Sequence, residues 1–250
     1  MMVCGPKEKF LRKTLDNLKE LCDDVIVCGN NIDIESKLII KSYGYWLYED
    51  NREWGIYQPK IKGDLLRKVA NLNPDWVIAL DADECFAPSF TREVAEDYAK
   101  RGEVAWYFLC INFFNNEKQY AHGKGIQRFW NIRFFKNLPN VGYDYLGKSL
   151  HCGLAPPFFY NYGWYAPYYF EHRGLMLKED RERKAERYKK YDPTAKFKDK
   201  SYYEDLEKEE DEIKVYNFEP EKLLRQLSEG VDCKPRKLPE SIKKYDLPLR

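Results

Sequence analysis

Asp75-Trp76-Val77-Ile78-Ala79-Leu80-Asp81-Ala82-Asp83-Glu84 is the stretch from which the fold is read. Five apolar residues in a row, Trp76 to Leu80, are too few to cross a membrane and lack helical spacing. They read as a strand buried on both faces. The run ends in three acids. In open α/β sheets, ligands gather beyond the carboxyl ends of parallel strands, where Asp81, Asp83 and Glu84 emerge. Side chains two apart on an extended segment share a side, so Asp81 and Asp83 converge on one target. Two like charges that close need a cation. A hard divalent ion with oxygen ligands, Mg²⁺ or Mn²⁺, brings a substrate diphosphate with it. The plainer alternative is an acidic turn after a core strand.

The same residues resemble the "GDWILFLDADE" segment of family 2 glycosyltransferases, enzymes of GT-A fold that take a sugar from a nucleotide-diphosphate donor. The resemblance rests on the strand and the Asp-x-Asp together. It implies that Asp81 lies near the donor ribose and that Asp83 binds the metal bridging the diphosphate. It also implies an α/β GT-A fold: a Rossmann-like, mostly parallel central sheet flanked by helices.

Upstream, Met1 to Cys4 is a short apolar start, and Gly5-Pro6 leads into a helix expected to begin near Lys7. Leu11, Leu15, Leu18 and Cys22 form one apolar stripe on that helix. Val25-Ile26-Val27-Cys28 is a second buried strand, which completes a βαβ unit with adjacent parallel strands. The resemblance covers this unit, with departures. Members usually open with a Lys/Arg-Asn-Glu-like turn and close the second strand with an Asp-rich loop such as "VDDGSTD". Here the text is Met2-Val3-Cys4-Gly5-Pro6-Lys7-Glu8 and Val27-Cys28-Gly29-Asn30-Asn31-Ile32-Asp33. Cys28 stands where the family's base-gripping aspartate usually is. Asn30 and Asn31 supply amide donors and acceptors instead, and Asp33 caps the next helix. That helix runs from Glu35 to Ser42, Gly44 stops it, and Tyr45 to Tyr48 is a third strand. The following helix places Ile61, Leu65, Val69 and Leu72 on one side. In relatives, a basic residue on this helix reaches the donor diphosphate, which the resemblance places on Lys60 or Lys62.

Downstream, a helix over roughly 90–101 turns Val94 and Tyr98 inward, and Glu103 to Ile111 is a further buried strand. Arg128-Phe129-Trp130-Asn131-Ile132-Arg133-Phe134-Phe135-Lys136-Asn137 resembles the family's "RLFRN" strand, and Arg128 joins the donor-binding candidates. Asn140 to Cys152 contains Asp144 and ends in Leu150-His151-Cys152, where relatives border the acceptor. Glu171-His172-Arg173-Gly174 resembles a "kHyg" segment whose histidine returns to the metal or diphosphate, so His172 joins Asp81 and Asp83 as a metal candidate; a structural role is its alternative. From Leu175 the text turns to Lys, Arg, Glu and Asp. Lys178 to Tyr191 is a charged helix, and segments 202–215 and 220–227 offer two more. The expected division is a catalytic domain over 1–175 and a helical and extended C-terminal extension over 176–250.

Composition narrows the function classes. The chain has 250 residues and a formal net charge of +1, which gives no pull toward nucleic acid. Charged residues make up 33% and mean hydropathy is −0.71, so a soluble protein is expected. With no transmembrane run and no basic-then-apolar leader, the expected location is cytoplasmic, with peripheral contact to an anionic membrane open to the basic C-terminal stretch. Seven cysteines, at 4, 22, 28, 85, 110, 152 and 233, include no Cys-x-x-Cys pair and read as reduced thiols.

The expected chemistry is therefore transfer of a sugar from a UDP- or GDP-sugar to a glycan or lipid-linked acceptor, with inversion at the anomeric carbon. The acceptor hydroxyl must lose a proton to a carboxylate. Asp144 is the first candidate base, with Glu84 and Glu171 behind it. Two alternatives stand: a non-catalytic sugar-nucleotide or carbohydrate binder on the same fold, and a phosphatase of the haloacid dehalogenase type, which also uses Asp-x-Asp after a strand.

Overall fold

The computed structural model describes residues 1–122, 125–138, 141–143, 150–208 and 212–230. The chain folds as a mixed α/β protein with a parallel central sheet flanked by helices. Strands β1 (Met2–Cys4), β2 (Ile26–Asn30) and β3 (Trp46–Asp50) alternate with helices α1 (Leu11–Leu21) and α2 (Ile34–Ser42), and α3 (Trp54–Ala70) follows. The 76–81 segment comes next as β4 (Trp76–Ile78) and β5 (Leu80–Asp81). The parallel order is β3-β2-β1-β5.

The expected single strand at 76–81 changes partner along its length. Val77 and Ile78 pair antiparallel with Phe135 and Phe134 of β9 (Phe129–Lys136). Leu80 and Asp81 then pair parallel with Met2 and Val3. Ala79 N donates to Arg133 O at 2.9 Å and Leu80 N to Met1 O at 3.2 Å, so backbone bonding continues through the switch. Beyond β9 lie β7 (Ala105–Phe114), β10 (Trp164–His172) and β6 (Glu84–Phe86); β8 (Asn116–Ala121) and β11 (Val215–Asn217) extend the far end. β7 and β10 run parallel, and the other pairs in this half are antiparallel.

Both faces are buried, as the apolar run requires. Met2, Val27, Ile78 and Leu80 pack with Leu11, Leu15 and Leu18 of α1 in one core. Their neighbours Val3, Ile26, Cys28, Val77 and Ala79 pack with Ile61, Leu65 and Val69 of α3 in the other. Each fully buried leucine contributes roughly 1.5–3 kcal/mol, so the alternation fixes which face each helix covers. Two details differ from expectation. Helix α1 starts at Leu11 rather than near Lys7, because Lys7 takes a left-handed φ of 58° and its N–H donates to Asp33 Oδ2 at 2.6 Å. Leu72 lies past the end of α3 and is exposed. Asp33 caps α2 as expected, accepting from Ser36 N at 2.9 Å. Burial opposes its charge, but the Lys7 and Ser36 bonds outweigh it and bring the carboxyl to about 2.

The residues after 175 add to this body. Helices α4 (Arg92–Lys100) and α5 (Phe159–Tyr162) complete the earlier part, and α6 (Lys178–Tyr191), α7 (Lys200–Glu207) and α8 (Pro220–Gly230) follow. β11 pairs with β8 at the sheet edge, and Leu223 and Leu227 of α8 pack with Leu109 and Tyr169. Leu175, Ala185, Leu206 and Ile213 share a core with Phe114, Ala121 and Ile126. α6 is anchored at three places. Arg181, buried beside the Phe114 ring, donates to Leu175 O and Met176 O at 3.1 and 3.2 Å. Lys9 pairs with Glu179 at 2.6 Å. Tyr191 packs on Gly55, where any Cβ would collide with its ring.

Candidate functional site

Strand order reverses between β1 and β5, and a cleft of about 1430 Å³ opens at the carboxyl ends of these strands. That is the ligand position of an open α/β sheet, and the volume exceeds the roughly 300–1,000 Å³ of a pocket for one small ligand. The β1–α1 loop, the end of β2, one face of α3, the Asp81–Glu84 turn, His172 and α6 all contribute to its wall.

At the rim the two neighbouring acids Asp83 and Glu84 part company. Asp83 Oδ2 lies 3.5 Å from His172 Nε2 and 3.5 Å from Lys184 Nζ, and Lys184 Nζ is 3.5 Å from His172 Nε2. The three side chains are each less than a fifth exposed. Burial opposes the Asp83 charge, but Lys184 and His172 outweigh it and hold its carboxyl far below the usual carboxylate range. Arg173 N donates to Asp83 O at 2.9 Å and fastens the turn to the end of β10. Gly174 makes the approach possible: a Cβ there would fall inside the shells of Asp83 Oδ2 and Lys184 Nζ and 2.8 Å from His172 Nε2.

The His172 ring is oriented by Asn112. Asn112 Nδ2 donates to Gln127 O at 2.9 Å, which leaves Oδ1 to accept from His172 Nδ1 at 2.6 Å. This assigns a proton to Nδ1 and turns Nε2 toward Asp83 Oδ2 and Lys184 Nζ.

Glu84 also borders the cleft, but its side chain is almost wholly buried against Arg133. Its carboxylate takes Arg133 Nε and Nη2 at 2.9 and 2.5 Å, with both side chains 4% exposed, and also accepts from Asp81 N at 2.9 Å. Burial works against the Arg133 charge, but Glu84 outweighs it and raises the guanidinium above its ordinary value. Glu84, a candidate base from sequence, is thus held in a fork-to-fork pair whose oxygens are already committed. Glu171 is likewise paired with Arg173. Asp144 lies outside the described residues.

The donor candidates separate in the same way. Lys62 lines the cleft, 3% exposed, and donates to Cys152 O at 2.6 Å, while Gln58 Oε1 accepts from Cys152 N at 2.9 Å. Burial lowers the Lys62 pKa, and Asp81 opposes the shift. Lys60, two residues away and so on the other side of α3, is exposed beside the Tyr57 ring. Asn30 and Asn31 both line the cleft; Asn30 Nδ2 donates to Asp50 O and Arg52 O at 2.9 Å each, tying the ends of β2 and β3 together. Two candidates are placed elsewhere. Cys28 is buried under Tyr48 in the α3-side core, and burial pushes its thiol up to about 11. Arg128 lies 5.5 Å from the Tyr120 ring, away from the cleft.

The metal expected from sequence meets a poor donor set. Asp81, Asp83 and His172 all line the cleft, yet among the described residues no three His, Cys, Asp or Glu side chains gather where an ion could be held. Asp83 and His172 offer two ligands, and the Lys184 ammonium already stands against both.

Several cleft residues were not among the site candidates read from sequence, and His151 entered only through the acceptor-side segment Leu150-His151-Cys152. Glu8 has its carboxyl pushed up to about 7, first by burial and then by Asp83, against Lys184, Arg183 and Arg187. Arg183, Lys184 and Arg187 come from α6, where spacings of three and four put cations on one face; that pattern was legible, but charged helix faces are usually solvated. His151 faces the cleft with Nε2 2.9 Å from Tyr203 Oη, and burial lowers it to about 4.

No family model matches the chain, and no curated protein matches it. Among solved structures, S. aureus TarS 1-349 aligns with a TM-score of 0.42 and 10% identity over 82% of this chain and 68% of that one. The same fragment in complex with UDP-GlcNAc aligns with a TM-score of 0.33 and 12% identity, over 54% and 45%. A 4-diphosphocytidyl-2C-methyl-D-erythritol synthase aligns with a TM-score of 0.37 and 10% identity, over 54% and 74%. The chain spans 22% of the length of the longer TarS structure. Likeness at this level bears on neither substrate nor reaction. No helix among the described residues is long and apolar enough to cross a membrane.

Proposed function

We propose that the chain is a glycosyltransferase of GT-A type that takes a sugar from a nucleoside-diphosphate donor and passes it to an acceptor hydroxyl with inversion. One observation carries the reading: the cleft at the β1/β5 switch, with Asp81 and Asp83 on its rim and the cations of α6 opposite them. The diphosphate end of a donor fits the cationic wall, and the nucleoside fits toward Asn30 and Asn31. The cleft is large enough to take an acceptor beside the donor, against aromatic faces such as Trp130 and Tyr160. The reaction breaks the bond from the anomeric carbon to the β-phosphate oxygen and leaves the electron pair on the diphosphate. The acceptor oxygen bonds to that carbon from the opposite side and its proton goes to a base. Fixed positive charge at the departing oxygen is where catalysis is strongest.

A donor panel tests this. Protein is incubated with UDP-, GDP- and dTDP-sugars, in EDTA and in Mn²⁺, and free nucleoside diphosphate is measured. Release from one base class is the expected result. Saturable donor binding without release in the presence of acceptors moves the assignment to the sugar-nucleotide binder. Phosphate freed from sugar phosphates moves it to the phosphatase.

A further inference from the structure

The donor reading leaves open what neutralises the departing diphosphate. A divalent ion bound at Asp83 is the sequence expectation, but its place beside Asp83 Oδ2 and His172 Nε2 is taken by Lys184 Nζ, 3.5 Å from each. We propose that Lys184, with Arg187 on the same face of α6, is the counter-charge for the nucleoside diphosphate, so that donor binding needs no metal ion. This inference rests on the donor reading above.

Three observations converge on it. The first is geometric. Gly174 has no Cβ where one would displace both Asp83 Oδ2 and Lys184 Nζ, so the backbone is shaped around the ammonium as much as around the carboxylate. The second is charge. A lone ammonium is one unit short of a divalent ion, and Arg187, three residues on and therefore on the same helix face, supplies the other. Arg187 also lines the cleft, and its Nε is buried with no hydrogen-bond partner among the described residues. Among other cations at the cleft, Arg183 pairs with Asp180 at 3.1 Å, Lys190 pairs with Glu53 at 2.8 Å, and Lys198 stands over the Phe129 and Tyr202 rings. The third is support. The anchors of α6 on α3 and on the β1–α1 loop hold Lys184 over the rim.

Asp83 and His172 then act as positioning residues. Asp83 balances the ammonium before the donor arrives, and the His172 ring, oriented by Asn112, keeps Nε2 3.5 Å from both of them. Acid and ammonium are each less exposed than an ordinary surface pair, and the field of a fixed charge is correspondingly stronger at the phosphate. Lys184 transfers no proton: it keeps its charge while the electron pair settles on the departing oxygen.

Calorimetric titration of UDP, GDP and dTDP into the full chain tests this, in EDTA and then in Mn²⁺. The wild type is expected to bind one nucleotide with the same Kd, within about twofold, in both conditions. Lys184→Met, which keeps length without charge, is expected to weaken binding about tenfold or more, with no rescue by Mn²⁺. Lys184→Arg keeps most of the affinity, and unfolding temperatures of both variants near wild type show that the fold is intact. Binding by the wild type only in Mn²⁺, or unchanged affinity in Lys184→Met, overturns the inference and leaves the donor reading standing. If none of the three nucleotides binds in either condition, the donor reading falls and takes this inference with it.

Discussion

Asp83 and Glu84 are adjacent in sequence and belong to different kinds of site. Glu84 sits in a closed pair with Arg133: two short bonds, both side chains 4% exposed, and a third bond from Asp81 N. Asp83 sits in an open triangle with His172 and Lys184, all edges 3.5 Å, at the wall of a large cleft. The closed pair has nothing left to offer a ligand, and the open triangle holds charge at a distance at which a phosphate oxygen can still compete for it. A buried pair of the first kind gives fold specificity. A loose cluster of the second kind gives a binding site.

The contrast is broken most severely at the closed pair. Removing one member leaves an uncompensated charge in the interior, which costs about 3–5 kcal/mol. Glu84→Ala is therefore expected to lower unfolding free energy by that amount in urea titration, since Glu84 is the carboxylate that hydrogen-bonds Arg133 and Asp81 attracts it only from farther off. The double change Glu84→Leu with Arg133→Met is expected to recover most of the loss, because well-packed apolar replacements of buried pairs are often neutral. If Glu84→Ala unfolds at the wild-type urea midpoint, the pair is not what seals this part of the sheet.

At the open triangle the expected effect is on binding, with little change in stability. Gly174→Ala introduces a methyl group among Asp83 Oδ2, Lys184 Nζ and His172 Nε2. Two of these atoms end flexible side chains that move aside, so the overpacking cost lies at or below the usual ~1–3 kcal/mol. The triangle itself cannot survive the insertion. UDP affinity is expected to fall about tenfold, equivalent to ~1.4 kcal/mol, with an unfolding temperature close to wild type. Equal loss of stability and affinity would show that Gly174 serves packing alone.

The same contrast marks how much was legible in the sequence. The Trp76–Leu80 run and the stripe of α1 state the α/β core directly, because burial on both faces of a strand needs every residue to be apolar. That half of the strand pairs antiparallel with β9 is not written in the run, since pairing direction leaves no trace in burial. Asp81 and Asp83 were placed at the cleft by their position after a strand, and His172 by the resemblance of its segment to the family's histidine motif. Glu84 was read with them because sequence shows no side-chain direction at a turn, and the buried Arg133 that claims it is 49 residues away. The contribution of α6 was passed over for another reason. A helix rich in Lys, Arg and Glu looks the same facing water or facing a ligand, and only its anchors, Arg181, Glu179 and Tyr191, decide which.

The smallest expected effect sharpens the comparison through pH. Glu8 shares the cleft with the triangle, and its carboxyl is raised from 4.5 to about 7. Between those values the folded chain binds a proton that the unfolded chain has released, so this group makes stability fall as pH rises through the window. His151 acts in the opposite sense: lowered from 6.5 to about 4, it makes stability rise with pH between those values. The two contributions oppose each other from 4.5 to 6.5, and only that of Glu8 continues toward 7 and just above. Glu8→Gln removes the falling contribution. The unfolding temperature of this variant, relative to wild type, is therefore expected to increase steadily from pH 5 to pH 8, with most of the gain in place by pH 7.5. A difference that stays constant over that range would mean that Glu8 is ionised throughout, and that the cations of α6 are close enough to treat it as they treat Asp83.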